Sequence, residues 1–161
     1  MLRNLVPSFI KNKINPITEV HIENIEKTQN KLIRWAQKNK QAMLMFMPKN
    51  PNSVMTVLNA VPNPIGLHVH LSEVDGALPE YEVQLEKLAE GLKFMKELGV
   101  EVVDFASGHW NYDYYTFVVC KELGLKRVHI RCVHIPRILR CGLVDGLTII
   151  PVHKHLHDYS L

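Results

Sequence analysis

Two histidines lie two residues apart in the stretch Ile65-Gly66-Leu67-His68-Val69-His70-Leu71. The stretch is short and largely apolar, which predicts a buried β-strand. Successive side chains of a strand point to opposite faces, so His68 and His70 share one side and the aliphatic residues share the other. Two imidazoles on one side can bind one metal ion. The competing interpretation is a pair of hydrogen-bonded histidines in the core or at its rim.

An acidic loop that contains glycine, residues 72–76, follows this strand. In α/β folds the functional residues gather at the carboxyl ends of the strands. The position of the two histidines therefore favours the metal-binding interpretation.

Composition indicates one soluble domain over residues 1–161. The chain is 47% hydrophobic, with 19 basic and 16 acidic residues, which is enough to bury one core. It has no basic run interleaved with aromatic residues, so no nucleic-acid partner is expected. Three cysteines without a paired spacing indicate a reducing compartment. No signal peptide or membrane-length apolar run is recognised, so we expect a cytoplasmic protein without a membrane partner.

Helical and strand-like stretches alternate along the chain. Residues 1–20 carry two prolines and no periodicity, which predicts an irregular lead-in. Helices are predicted at 22–39, 54–60, 79–98 and 114–123, and strands at 42–47, 65–71, 100–105, 127–133 and 147–152. A connection at 135–141 and a polar tail at 153–161 complete the chain. This order is typical of parallel strands with right-handed crossovers, whose carboxyl ends share one rim.

About five strands are visible, fewer than the eight of a complete (β/α) barrel. We therefore predict an α/β fold that is an incomplete or deformed (β/α) barrel with mostly parallel strands. A homo-oligomer that completes an open barrel is one arrangement consistent with this count.

Further candidate residues lie near the predicted strand ends. A metal-activated water needs a carboxylate to accept its proton, and Asp104, Asp113 and Asp158 are the candidates for that catalytic role. The tail histidines alternate as His68 and His70 do, which makes His153 a candidate third metal ligand. A polar extension or a self-association contact is the alternative for the tail.

The loop after the predicted strand 100–105 contains His109, Trp110 and Asn111. An aromatic face beside polar groups suits a sugar or acyl ligand, so these three residues are candidates for substrate binding. A tryptophan that anchors the loop to the core is the alternative.

The blocks at 64–71, 98–100 and 105–113, with Thr116 and 122–124 behind them, resemble the polysaccharide deacetylase (NodB-homology) superfamily in order and spacing. The resemblance covers about residues 20–161. It implies a deformed (β/α)7 barrel and a divalent metal, usually zinc, held by two histidines and an aspartate. It further implies that His68 and His70 are metal ligands and that residues 108–110 line the substrate groove. By the same resemblance, His157 and Asp158 form the late block that supplies a catalytic histidine.

Two features of that family have no counterpart in the sequence. The early strand with paired aspartates is missing, because the lead-in offers only Glu19, His21 and Glu23. The arginine that orients the catalytic carboxylate falls at about Ala106. The chain is thus interpreted as an N-terminally shortened or a divergent member, and divergent members include proteins without catalysis.

The first hypothesis is a metal-dependent hydrolase of the deacetylase-like type, with zinc as the expected metal, that cleaves an N-acetyl or amide C–N bond in a small-molecule or oligosaccharide substrate. His157 or His109 would protonate the leaving amine. An amidohydrolase-like enzyme, which also uses His-x-His at a strand end, is the second hypothesis, although it needs a complete eight-stranded barrel. The third is a catalytically degenerate domain that binds a ligand or a partner protein.

Overall fold

Short strands alternate with helices along the chain, as the sequence pattern predicts. The structure, a computed structural model, describes residues 17–73, 76–140, 142 and 144–161. The strands are β1 (Ile17–Ile22), β2 (Met43–Phe46), β3 (Ile65–Val69), β4 (Asp104–Ser107), β5 (Arg127–Arg131) and β6 (Thr148–His157). The helices are α1 (Ile25–Lys38), α2 (Pro51–Ala60), α3 (Tyr81–Glu97), α4 (Tyr114–Glu122) and α5 (Ile135–Arg140). Single 3₁₀ turns cover Gly108–Trp110, Cys132–His134 and Asp158–Ser160.

The strands form a closed parallel barrel in sequence order. Each strand pairs with the next, and β6 pairs with β1 to close the ring, with Glu19 opposite His155 and His21 opposite His157. The predicted α/β fold of the (β/α)-barrel type is therefore confirmed. Because the ring closes within this chain, a second copy is not needed to complete an open barrel.

Two polar segments belong to the barrel, contrary to the sequence-based expectation. The predicted lead-in is wrong for residues 17–20, which begin β1, while residues 1–16 lie outside the described residues. The predicted tail is wrong as far as His157, because β6 continues to that residue. Glu19 and His21 of β1 and His155 and His157 of β6 lie on the inner side of the barrel, whereas His153 and Lys154 are exposed. The expected count of about five strands is thus corrected to the six that the structure describes.

Two element boundaries also differ from the prediction. The strand expected at 100–105 begins at Asp104 and ends at Ser107. The connection expected at 135–141 contains the short helix α5. Capping interactions at helix starts, such as Asp113 with Thr116 at α4, explain why α4 begins where the sequence predicts.

Apolar side chains on the outer faces of the strands pack beneath the helices. The fully buried ones include Val20, Leu44, Phe46, Leu67, Phe105, Val128 and Ile130. Helix α1 contributes Ile25, Leu32 and Ala36, which recur at helical spacing. Burying one such side chain contributes about 1.5–3 kcal/mol, so this layer fixes the positions of the strands. Among the described helices none is long and apolar enough to cross a lipid bilayer.

The interior of the barrel is mostly polar. A small apolar cluster of Met43, Met45 and Ala106 lies there, beside buried titratable residues of β1, β3 and β5. Gly66 leaves space for this filling, because a Cβ at that position would lie 2.4 Å from Met45 Sδ. The fold therefore brings ionisable side chains from separate strands into one enclosed space.

Candidate metal centre

Three donor atoms converge at the carboxyl ends of β1 and β3. His68 lies on β3, His70 follows it, and Glu23 follows β1. The Nε2 atoms of His68 and His70 are 3.1 Å apart. Glu23 Oε1 lies 3.3 Å from His68 Nε2 and 3.2 Å from His70 Nε2. The three atoms thus form a nearly equilateral triangle.

Hydrogen bonding fixes the tautomer of His68. Its Nδ1 lies 3.0 Å from the carbonyl oxygen of Ala106, and a carbonyl can only accept, so Nδ1 carries the proton. Burial lowers the pKa of His68, and the neutral ring therefore keeps a lone pair on Nε2. A backbone carbonyl behind the ring is the usual support of a metal-binding histidine.

Glu23 faces these rings as a carboxylate. The neighbouring rings of His68 and His70 hold the pKa of Glu23 well below the usual range. The proton that His70 Nε2 can carry is then shared by the Glu23 oxygen and the His68 nitrogen, and it cannot be directed well at both. A cation at the centre of the triangle would satisfy all three atoms.

The separations fit zinc. Tetrahedral zinc with bonds of about 2.0–2.2 Å places its ligand atoms roughly 3.3–3.6 Å apart, and the three separations here, 3.1–3.3 Å, lie at or just below the short end of that range. A ring nitrogen of His21 also lies within 4.8 Å of ligand atoms of Glu23 and His68. The donor set is therefore chemically and geometrically suited to a divalent metal.

A chain of hydrogen-bonded side chains crosses the barrel below this centre. Arg127 donates to both carboxylate oxygens of Asp104, at 2.6 and 2.7 Å. His129 lies between two carboxylates, 2.9 Å from Asp104 Oδ1 and 2.6 Å from Glu19 Oε2. Glu19 Oε1 then accepts from His21 Nε2 at 2.7 Å. This lumen chain, Arg127–Asp104–His129–Glu19–His21, ends beside the metal centre, where the His21 and His68 rings are 4.0 Å apart.

The charges of the lumen chain follow from its partners. Burial would lower the pKa of His129, but hydrogen bonds to Asp104 and Glu19 outweigh burial and raise the pKa to about 9. Burial would likewise raise the pKa of Glu19, yet the bonds from His129 and His21 lower it to about 2. Burial and repulsion by His68 lower the pKa of His21 to about 3. His21 is thus neutral, and because Nε2–H donates to Glu19, its Nδ1 keeps a lone pair.

Two histidines of β6 complete the wall of the centre. His157 Nδ1 lies 3.5 Å from Glu23 Oε1, and the His155 ring lies 4.2 Å from the His21 ring. His157 Nδ1 and His155 Nε2 are buried atoms without a hydrogen-bond partner among the described residues. Both nitrogens are therefore available to a ligand.

The loop after β4 closes one side. His109 and Trp110 both have φ of +55°, a left-handed conformation that is costly for residues other than glycine. The Trp110 ring lies 5.0 Å from His21, and the His109 ring 4.9 Å from His70. A Cβ at Gly108 would lie 2.4 Å from the His70 ring. Glycine is thus required for the close approach of this loop to His70.

No protein-family model and no curated protein matches this sequence. Solved structures do match its fold. A CE4 family pseudoenzyme from Bacillus anthracis matches with a TM-score of 0.64 and 8% identity, over 91% of this chain and 56% of that one. Streptococcus pyogenes deacetylase PplD, solved with acetate, matches with a TM-score of 0.62 and 10% identity, over 85% and 62% of the two chains. A family 4 carbohydrate esterase from Streptomyces lividans, also solved with acetate, matches with a TM-score of 0.59 and 12% identity, over 89% and 79%.

The chain has the polysaccharide deacetylase fold. The resemblance that the sequence blocks indicate is thereby confirmed at the level of fold, and identities this low establish no more than the fold. The chain spans 56% of the length of the Bacillus protein and 62% of PplD.

The segment expected to be an irregular lead-in contains β1 from Ile17 onwards. It carries Glu19 and His21 inside the barrel and leads directly to Glu23. Glu19, His21 and Glu23 are not among the predicted site residues, because the two prolines in residues 1–20 predict irregular chain there. The alternation Glu-x-His-x-Glu, with the same period as His68 and His70, is the signal that could have identified them.

The structure brings some of the predicted site residues together. His68, His70 and His157 surround Glu23, with His109 and Trp110 beside them. Asn111 is buried next to this loop, and its Nδ2 has no hydrogen-bond partner among the described residues.

Four predicted site residues lie elsewhere. Asp104 is bound by Arg127 and His129 at the far end of the lumen chain. Asp113 caps α4 by accepting from Thr116 N. Asp158 is fully buried and accepts from the backbone of Glu23 and Asn24 and from Thr28 Oγ1, so it orients the turn that carries Glu23. The side chain of His153 is exposed. The structure therefore does not bring these four side chains to the three donor atoms.

Proposed function

We propose that this chain is a metal-dependent hydrolase of the deacetylase type, which cleaves the C–N bond of an N-acetyl or similar amide group. The observation that carries the proposal is the triangle formed by Glu23 Oε1, His68 Nε2 and His70 Nε2, with sides of 3.1–3.3 Å. The shared fold with deacetylases solved with acetate supports the choice of reaction.

Glu23, His68 and His70 would hold the metal, most suitably zinc. When bound, the ion would act as a Lewis acid and lower the pKa of an attacking water. Ala106 fixes the orientation of His68, and Asp158 fixes the backbone that carries Glu23. Trp110 and His109 would form the wall against which the sugar or acyl group packs.

His157 is the group we assign to proton transfer. Its Nδ1 is buried beside Glu23 Oε1 without a hydrogen-bond partner among the described residues. The acids expected as bases, Asp104, Asp113 and Asp158, are each bound by other groups. One histidine can take the proton of the attacking water and deliver it to the leaving amine. This role needs no second carboxylate at the site.

A second candidate function is a binding module without turnover. It is favoured by one observation: among the described residues, Glu23 is the carboxylate that reaches the two β3 histidines, and no further free carboxylate accompanies it. The amidohydrolase-like hypothesis is not carried forward, because it requires eight strands and the closed barrel has six.

The experiment compares acetate release with metal content. Purified chain is assayed on an N-acetylated oligosaccharide such as tetra-N-acetylchitotetraose, and bound metals are measured by mass spectrometry. We expect near-stoichiometric zinc and acetate release that a chelator abolishes. His157→Gln is expected to retain zinc and lose at least about 100-fold in kcat, while His153→Gln, the exposed histidine of the same strand, keeps full activity.

Two results would contradict the enzyme proposal. Metal-free protein that binds no added zinc would remove the mechanism. Stoichiometric zinc with ligand binding and no acetate release from any N-acetylated saccharide would favour the binding module.

A further inference from the structure

A basic segment follows β5 at the rim where the candidate metal centre lies. Arg131, His134, Arg137 and Arg140 recur every third residue, and we call this segment, residues 131–140, the basic lip. From Leu123 to Val144 the sequence contains five lysines and arginines and no aspartate or glutamate. The overall formal charge is only +3, so the positive charge is concentrated here.

The arginines of this region differ in their partners. Arg127 is neutralised by two hydrogen bonds to Asp104 in the lumen chain. Arg131 and Arg140 are exposed, and no ion pair joins either of them to a carboxylate within the described ranges. The pKa of His134 is lowered first by burial and then by repulsion from Arg137 and Arg131. His134 therefore experiences the positive electrostatic potential of the lip. Arg131 and Arg140 thus present positive charge to solvent.

The lip adjoins the mouth of the site. Arg137 Nη2 donates to the carbonyl oxygen of Trp110 at 3.2 Å, and the Trp110 ring packs against His21 and His155. The charge of Arg131 also reaches His155, whose pKa is lowered chiefly by burial and His157 and further by Arg131. An anion on the lip would therefore lie beside a group bound in the site.

We propose that the substrate is an acidic N-acetylated saccharide, whose carboxylate, sulfate or phosphate groups lie on the basic lip while an acetamido group enters the metal centre. This inference rests on the proposed function. Arginine forks bind carboxylate and phosphate with two parallel hydrogen bonds. Positive charge at the rim would also concentrate anionic ligands near the mouth.

An anionic membrane is the alternative occupant of the lip. Val133 and Leu139 are 71% and 53% exposed, as a membrane-bound surface would require. Two separately exposed aliphatic side chains are common on soluble proteins, however, and fall short of the contiguous apolar patch that marks an interaction surface. The charge and its position at the mouth therefore favour a saccharide.

The test compares two ligands that share the acetamido group and differ in charge. Binding of a hyaluronan tetrasaccharide, which alternates N-acetylglucosamine with glucuronate, and of neutral tetra-N-acetylchitotetraose is measured by calorimetry on the full chain. We expect about tenfold tighter binding of the acidic ligand at low salt, since each exposed charge pair adds about 1.4- to 5-fold. Arg131→Gln combined with Arg140→Gln should reduce the preference below about threefold. Lys38→Gln combined with Lys40→Gln, at the amino ends of the strands, should leave it unchanged.

Equal binding of the two saccharides, or binding of neither, would overturn the inference. So would binding of vesicles that contain anionic lipid without binding of the acidic saccharide. Acetate release is recorded in parallel to separate the two proposals. A preference for the acidic ligand without turnover rejects the hydrolase and keeps the lip, whereas equal turnover of both ligands keeps the hydrolase and rejects the lip.

Discussion

The two ends of the barrel interior hold similar side chains in opposite arrangements. At the lower end positive and negative groups alternate, because Arg127, Asp104, His129 and Glu19 each contact a group of opposite charge. At the upper end three atoms that can bind a metal, from Glu23, His68 and His70, lie 3.1–3.3 Å from one another. At the lower end the buried charges are paired with one another without a ligand. At the upper end the three donor atoms would be paired only by a bound cation. The difference indicates that the lower end stabilises the fold and orients His21, while the upper end is suited to bind a cation.

The largest effect is expected from breaking the lower end. His129→Leu removes the positive charge between Glu19 and Asp104 and leaves two buried carboxylates with one partner fewer each. Loss of one member of a buried ion pair costs about 3–5 kcal/mol, and we expect a decrease of that size in the free energy of unfolding, measured with urea. A decrease below about 1 kcal/mol would show that the lumen chain does not carry paired charge.

The pH dependence of stability gives a second test of the lower end. The pKa of His129 is raised to about 9 in the folded chain, above its ordinary value of about 6.5. Its contribution is therefore complete below about pH 6.5 and is lost as the pH rises towards 9. We expect the free energy of unfolding to fall over this range by on the order of 3 kcal/mol. His129→Gln should show a much flatter profile, and an equal slope in both proteins would refute the assignment.

Glu19→Gln tests whether the two ends communicate. Glu19 fixes the tautomer of His21, whose ring lies against His68. Loss of a group that orients a metal ligand directly weakens metal binding 10- to 100-fold. Glu19 acts one step further away, through His21, so we expect zinc affinity to fall by no more than about 10-fold, measured by competition with a chromophoric chelator. Glu19→Asp should restore part of the affinity. Unchanged affinity in Glu19→Gln would mean that the lower end serves stability alone.

The smallest effect concerns an acid outside both ends. Asp113 accepts from Thr116 N as the cap of α4, so Asp113→Ala should lower stability by about 1 kcal/mol. Zinc affinity and turnover should remain those of the unaltered chain. A loss of turnover at unchanged stability would instead return Asp113 to a catalytic role.

Much of the fold could be predicted because its outer layer follows simple patterns. The apolar run at β2 and the period of α1 depend on burial alone. His68 and His70 were identifiable because they interrupt an apolar strand at alternate positions. β1 and the end of β6 are not predicted because Glu19, His21, His155 and His157 lie on the inner side of the barrel, where the sequence pattern alone predicts apolar residues. Polar residues that point into a barrel and polar residues that point to solvent produce the same alternation of polar and apolar residues along a strand. The pattern therefore does not distinguish the two cases.

The roles of individual acids could not be predicted, because they depend on partners far apart in the chain. Asp158 looks like a terminal site residue, yet it binds the backbone at Glu23 and Asn24, more than 130 residues earlier. Asp104 pairs with two groups of the next strand. The residue types at the rim can be predicted from the sequence. Which of these residues contact one another depends on how the barrel closes.

The central claim is tested most directly by titrating zinc into the metal-free chain by calorimetry. One zinc per chain is predicted, with at least about 100-fold weaker binding in His68→Ala, His70→Ala and Glu23→Gln, and unchanged binding in His134→Ala. Wild-type protein that binds no zinc, or variants that bind it as tightly as wild type, would contradict the account.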